Sequence, residues 1–182
     1  MKIITSKMIH EIEIPSTDQL VTHFKQLFES NNSFVSDRHN AVKITQNYCW
    51  NSFFKLSIID NELPTFINQI KDIMTKYNFE SDDNAIVEMH YGFTNDTIQC
   101  IKEITIADNT DTGKLNICVV YLDVTCEGGE LVFYNKNDTF EPFRTIQTNS
   151  CKIVMFEGSV YHKRNDYSKG RRLSVLFKFP RK

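Results

Sequence analysis

The stretch from Cys151 to Phe179, CKIVMFEGSVYHKRNDYSKGRRLSVLFKF, decides how this chain is read. It opens and closes on strand-like runs, CKIVMF (151–156) and RRLSVLFKF (171–179), with a turn signal at Lys169-Gly170 between them. In the second run an arginine enters an otherwise hydrophobic strand, and alternation places Arg172 and Ser174 on one face. Four similar runs precede it: AIVEMHYG (85–92), IQCIKEITIAD (98–108), KLNICVVYLD (114–123) and GELVFY (129–134). Further turn signals stand at Asn95-Asp96, Asp111-Thr112-Gly113 and Gly128-Gly129. Short strands spaced this evenly point to an antiparallel barrel or sandwich.

Upstream, the period changes. Ser16 and Gln19 have capping-box spacing, and Leu20, Phe24, Leu27 and Phe28 recur at helical intervals, which predicts a helix over 17–29. Pro64 opens a second helix whose apolar stripe is Phe66, Ile70, Ile73 and Tyr77, predicted over 64–77. Alternation at AVKITQN (41–47) and SFFKLSII (52–59) reads as two strands. Helices before strands argue an α+β fold with the helices packed on one sheet. The 182 residues form a single domain, with 1–84 as helical and strand support and 85–180 as the β core.

Composition narrows the function classes. The chain has 21 Lys+Arg against 23 Asp+Glu, a net charge of -2, so nucleic acid is not the expected partner. No run approaches the length of a membrane span, and the N-terminus lacks a signal-peptide pattern. Cys49, Cys100, Cys118, Cys126 and Cys151 are odd in number and form no CxxC pair. These features suggest free thiols and an intracellular, cytoplasmic setting, the nucleus included. There is no G-x-G-x-x-G, P-loop or G-x-S-x-G, so phosphate-cradling and esterase chemistry have no anchor.

Three places in the strand-rich part carry chemistry. A strand rich in β-branched residues ends in Asp108, His162 follows the run CKIVMF, and Arg172 enters the last strand. A carboxylate and an imidazole suit Fe(II), and an arginine fork suits a co-substrate carboxylate. An Asp before a turn and a lone His are also ordinary turn and packing residues.

The two segments DNTDTGKLNICVVYLDVTCEGGELVFY (108–134) and KIVMFEGSVYHKRNDYSKGRRLSVLFKF (152–179) resemble the catalytic half of the prolyl-hydroxylase-like Fe(II)/2-oxoglutarate-dependent dioxygenases. The resemblance is most specific at Tyr121-Leu122-Asp123, at Gly128-Gly129-Glu130-Leu131, and in the placing of His162 ten residues before Arg172. It implies a double-stranded β-helix, jelly-roll or cupin-like, buttressed by the N-terminal helices. It implies Asp108 and His162 as metal ligands, with Tyr121, Arg172 and Ser174 holding 2-oxoglutarate. Arg171 competes with Arg172 for that role, since a slip of one residue exchanges them.

The family's His-x-Asp motif reads Ile106-Ala107-Asp108 here, so the first histidine ligand is replaced by a residue with no donor atom. His10, His23 and His39 lie in the support region, and His90 stands on an earlier strand with no Asp two residues on. Two functions follow from the resemblance. One is an oxygenase that couples oxidative decarboxylation of 2-oxoglutarate to hydroxylation of a protein (prolyl-type) or small-molecule substrate such as an amino acid. The other is a catalytically inactive pseudo-enzyme, a protein-binding module of the kind also found in viral lineages.

Overall fold

The computed structural model describes residues 9–30, 48–55, 59–61, 63–98, 115–135 and 141–181. In chain order the elements are β1 (Ile9–Glu13), α1 (Asp18–Ser30), β2 (Tyr48–Lys55), α2 (Pro64–Lys76), β3 (Ile86–Ile98) and β4 (Leu115–Val124). There follow β5 (Glu127–Gly128), β6 (Leu131–Tyr134), β7 (Pro142–Ile146), β8 (Lys152–Glu157), β9 (Tyr161–Arg164) and β10 (Tyr167–Pro180). All the described pairings are antiparallel. A large sheet runs β1-β8-β4-β10-β3-β2, with β5 added beside β10, and a small sheet runs β7-β6-β9. This is the jelly-roll, or double-stranded β-helix, architecture, with α1 and α2 as supporting helices.

The two faces of the large sheet bury different things. Leu173, Val175, Phe177 and Phe179 of β10, Val87 and Met89 of β3, Cys118, Val120 and Leu122 of β4, and Ile153 and Met155 of β8 form one core with Phe24 of α1 and Phe66, Ile67, Ile70 and Met74 of α2. Strand alternation and the helical stripe thus meet, and each fully buried large side chain contributes on the order of 1.5–3 kcal/mol. Pro64 sits in the first turn of α2, where its missing N–H costs no helical bond. On α1 the capping box does not form as the sequence suggests. The Ser16 hydroxyl bonds the Asp18 carboxylate, and Thr17 turns inward to donate to the Leu122 carbonyl, 2.8 Å away. Anchoring the helix start to β4 has won over a local cap.

The opposite face closes a barrel with the small sheet. Ile9, Ile117, Tyr121, Val154 and Phe156 meet Leu131, Phe133, Ile146 and Val160 there.

Two turn signals are corrected. Asn95-Asp96 lies inside β3, and Lys169-Gly170 lies inside β10, because the two strands stay paired as far as Tyr167 opposite Ile98. Lys169 and Gly170 instead make a bulge, with φ of 50° and 152°. A Cβ on Gly170 would stand 2.8 Å from the Thr125 carbonyl oxygen, so the glycine permits the close crossing there. β1, β5, β7 and β9 went unforeseen, and β2 covers 48–55 where 52–59 was expected. The expected strand at 41–47 and most of the run 98–108, with Ile106 and Asp108, lie outside the described residues.

Candidate functional site

Register fixes which side chains face the barrel. Across the large sheet, Lys152 of β8 pairs with Tyr121 of β4, Tyr121 with Ser174 of β10, and Ser174 with His90 of β3. These four neighbours share the face opposite the helical core and form a polar row. Arg172 lies two residues before Ser174 on the same face, opposite Val124 of β4 and Gly92 of β3. A bulge between Leu173 and Ser174 adds a residue to β4 there, and alternation along β10 turns Arg172 inward while its neighbour Leu173 joins the core.

Arg172 is 3% exposed. Its Nη1 donates to the Gly129 carbonyl at 2.7 Å and to the Thr148 hydroxyl at 3.1 Å. The guanidinium carbon lies 5.0 Å from the centre of the Tyr121 ring and 5.9 Å from that of Tyr167. Burial pushes the Tyr121 hydroxyl above its ordinary pKa, opposed by the charges of Arg172 and Arg164. The phenol therefore stays protonated and can donate. Gly129 explains its own residue type. Its φ is +77°, and a Cβ would meet Arg172 Nη1 at 2.6 Å. The Gly128-Gly129 signal is thus both a turn and a seat for the guanidinium.

Arg171 points the other way. Its side chain is 46% exposed and its Nε donates to Asp123 at 3.1 Å. The register places Arg172, and not Arg171, in the barrel.

His162 stands on β9 opposite Phe133 of β6, with its ring 4.8 Å from that of Phe156. Nδ1 is 2.9 Å from the Val160 carbonyl oxygen, an acceptor, so Nδ1 carries the proton and Nε2 holds the lone pair. Burial keeps the imidazole pKa below its ordinary value, against the Val160 bond that raises it. A neutral imidazole oriented by a backbone carbonyl fits a metal ligand. Among the described residues no group of three or more His, Cys, Asp or Glu side chains is placed to hold a metal ion. Asp108 lies outside the described residues, so His162 alone represents the metal-binding set.

Charge in the barrel is mostly positive among the described residues. Lys152 and Arg144 share Glu11, with Lys152 Nζ at 2.8 Å and Arg144 Nη2 at 3.6 Å. Lys178 bonds Glu88, whose other oxygen lies 3.3 Å from His90 Nε2. Arg164 lies 5.7 Å from the centre of the Tyr167 ring. A carboxylate reaching this wall would meet cationic donors.

Thr148, Tyr167, Glu88 and Lys178 were not expected from the sequence. Thr148 carries no local signal, since it reaches Arg172 only through the fold. Glu88 and His90 did carry one, because AIVEMHYG puts both on the face opposite Val87 and Met89.

No protein-family model matches the sequence, and no curated protein matches it. Solved structures do match. A prolyl-4-hydroxylase from Pseudomonas putida is 12% identical, with a TM-score of 0.64 over 97% of this chain and 94% of its own. A prolyl hydroxylase from Trichoplax adhaerens, solved with a hypoxia-inducible-factor oxygen degradation domain peptide, is 10% identical, with a TM-score of 0.64 over 96% and 84%. A 2OG-Fe(II) oxygenase family protein from Burkholderia pseudomallei is 9% identical, with a TM-score of 0.59 over 97% and 86%. The chain thus has the fold of the 2-oxoglutarate oxygenases. Within that class it has the prolyl-hydroxylase-like form. No described helix is long and apolar enough to cross a membrane.

Proposed function

We propose that the chain binds 2-oxoglutarate inside the barrel, with one carboxylate on Arg172 and the hydroxyls of Tyr121 and Ser174 beside it. The observation that carries this is Arg172 itself, 3% exposed, seated on Gly129 and Thr148 and lying over two tyrosine rings. Excess cations on the same wall support a dianion over a neutral ligand.

On this reading the protein is an Fe(II)/2-oxoglutarate-dependent dioxygenase, a hydroxylase of a protein side chain such as proline, or of a small molecule such as an amino acid. Its setting is intracellular. His162 through Nε2 and Asp108 would hold the iron, which when bound supplies the oxidising chemistry. The protein's own part is to orient the co-substrate by a bidentate arginine and to keep His162 neutral.

The second reading is a pseudo-enzyme that keeps the fold and the anion pocket and binds a partner protein. Ile106 at the place of the first histidine ligand favours it. Calorimetry of 2-oxoglutarate with the wild type and Arg172→Ala tests the pocket, and loss of binding in the variant is expected. Anaerobic Fe(II) titration followed by succinate detection then separates the functions. Succinate from the wild type supports the oxygenase. None from the wild type, and none from an Ile106→His variant that binds iron, supports the binding module.

A further inference from the structure

The barrel wall holds one polar cluster that the pocket does not yet use. Glu88 is only 8% exposed, and an uncompensated carboxylate there would be costly. Lys178 of β10 holds one of its oxygens and His90 faces the other. A carboxylate only accepts, so His90 Nε2 carries a proton and donates to Glu88. Lys178 and Glu88 thus fix the imidazole in place.

Where it is fixed matters. His90 is directly opposite Ser174, which is directly opposite Tyr121. Paired residues on adjacent strands have Cβ atoms roughly 4.5–5.5 Å apart, so His90 flanks the hydroxyls assigned to the anion. Its side chain remains 26% exposed, while its cross-strand partner Ser174 is buried. Its charge environment includes both barrel guanidiniums, Arg164 and Arg172.

We propose that His90 is a ligand-positioning residue, its Nδ1 donating to the anion that Arg172 binds while Nε2 donates to Glu88. This rests on the pocket reading above. The ring then bridges two carboxylates, one from the protein and one from the ligand. Among the described residues, the charged and titratable groups that bear on it are Glu88 on its own strand, Arg172 and Lys178 on β10, Tyr121 on β4 and Arg164 on β9. On β2 its paired neighbour is the uncharged Asn51. Without ligand, burial and then the two arginines disfavour the imidazolium, against the pull of Glu88. A bound carboxylate offsets the arginines and supplies the second acceptor, so the ring takes up a proton as the anion enters.

The test is histidine-selective ¹⁵N NMR on the full chain with 2-oxoglutarate as the probe. The His90 signal is assigned by its loss in His90→Gln. On addition of 2-oxoglutarate the His90 ring is expected to move to the doubly protonated pattern. His10, packed on Tyr77 and Phe79 at the helical side, is expected to stay put. By calorimetry, His90→Leu should bind roughly tenfold more weakly or worse, and His90→Gln should recover part of the loss through its amide donor. If the wild type binds 2-oxoglutarate and Arg172→Ala abolishes this, but the His90 ring does not change and His90→Leu binds normally, the proposal for His90 falls alone. If 2-oxoglutarate does not bind the wild type, the pocket reading falls and takes this one with it.

Discussion

The two faces of the large sheet are built from the same strands and follow opposite rules. Toward the helices, β10 presents Leu173, Val175, Phe177 and Phe179, all fully buried in hydrocarbon. Toward the small sheet, the alternate positions present Arg172, Ser174 and Lys178, and β3 adds Glu88 and His90. The helical face is what hydrophobic patterning asks for. The barrel face places charges where a packed core would be more stable, and local departures of that kind mark functional ground. One face is apolar along all of β10, and the other combines a second apolar cluster with buried charge.

The largest effect should come from opening the helical face. Phe177→Ala removes a ring packed between Phe66 and Phe179, at centroid distances of 6.1 and 6.0 Å. A loss of about 3–5 kcal/mol in urea unfolding is expected. A loss under about 1 kcal/mol would mean the two faces are not as different as described.

On the barrel face the effect should fall on binding. Arg172→Ala is expected to weaken 2-oxoglutarate by about a hundredfold in calorimetry, while Arg171→Ala leaves it unchanged. The reverse pattern would show that the inward register is that of Arg171.

Gly129→Ala probes the seat of the arginine. The left-handed φ and the 2.6 Å approach to Arg172 Nη1 should cost about 1–3 kcal/mol of stability and displace the guanidinium. Binding should therefore weaken together with the melting temperature.

Acid should act through the barrel face. Burial depresses the pKa of His90 and of His162 below the ordinary 6.5. Below about pH 6.5 the unfolded chain binds protons that the folded chain refuses, so stability falls as pH drops through that window and is flat above it. Burial pushes the Glu88 carboxyl up, but His90 and Lys178 outweigh it and leave its pKa below 4.5. Its contribution is therefore present above that pH and is lost at lower pH. Melting curves from pH 8 to 4 check this, and the His90→Gln/His162→Gln pair should flatten the upper step.

The smallest effect is chemical. Burial pushes the Cys118 thiol far up its scale, so it should resist alkylation at pH 8 in the folded chain. Rapid labelling would mean that the helical face opens readily.

The legible part of this molecule follows the same division. Both helices and the strands of the helical core show in the sequence because period and burial coincide, as at Phe66 and Ile70, although α2 fully buries Ile67 and Met74 and leaves the expected Ile73 and Tyr77 only partly buried. β7 and β9 do not show, since PFRTI and YHKR are short and barely alternate. Arg172, Tyr121 and Ser174, named from spacing and resemblance, do share the barrel face, and their role there, like that of His162, belongs to the proposal. Thr148 was not readable, because its meaning lies in a contact 24 residues distant in the chain. Lys169-Gly170 misled because a bulge and a turn ask for the same residues, and only the partner strand decides between them.

β10 has one more consequence, for the order in which the molecule is assembled. It lies between β3 and β4, bonded along its length to both, and these two strands do not pair with each other. It also follows both in the chain, by roughly fifty to eighty residues. Until it arrives, β3 with β2 and β4 with β8 are separate half-sheets with open edges. Contacts so distant in sequence close slowly, and open edges can pair with other chains in the meantime. During translation the half-sheets therefore wait for the strand that joins them. Slowing synthesis just before residue 167 should lengthen that wait and raise the aggregated fraction without altering a single native contact.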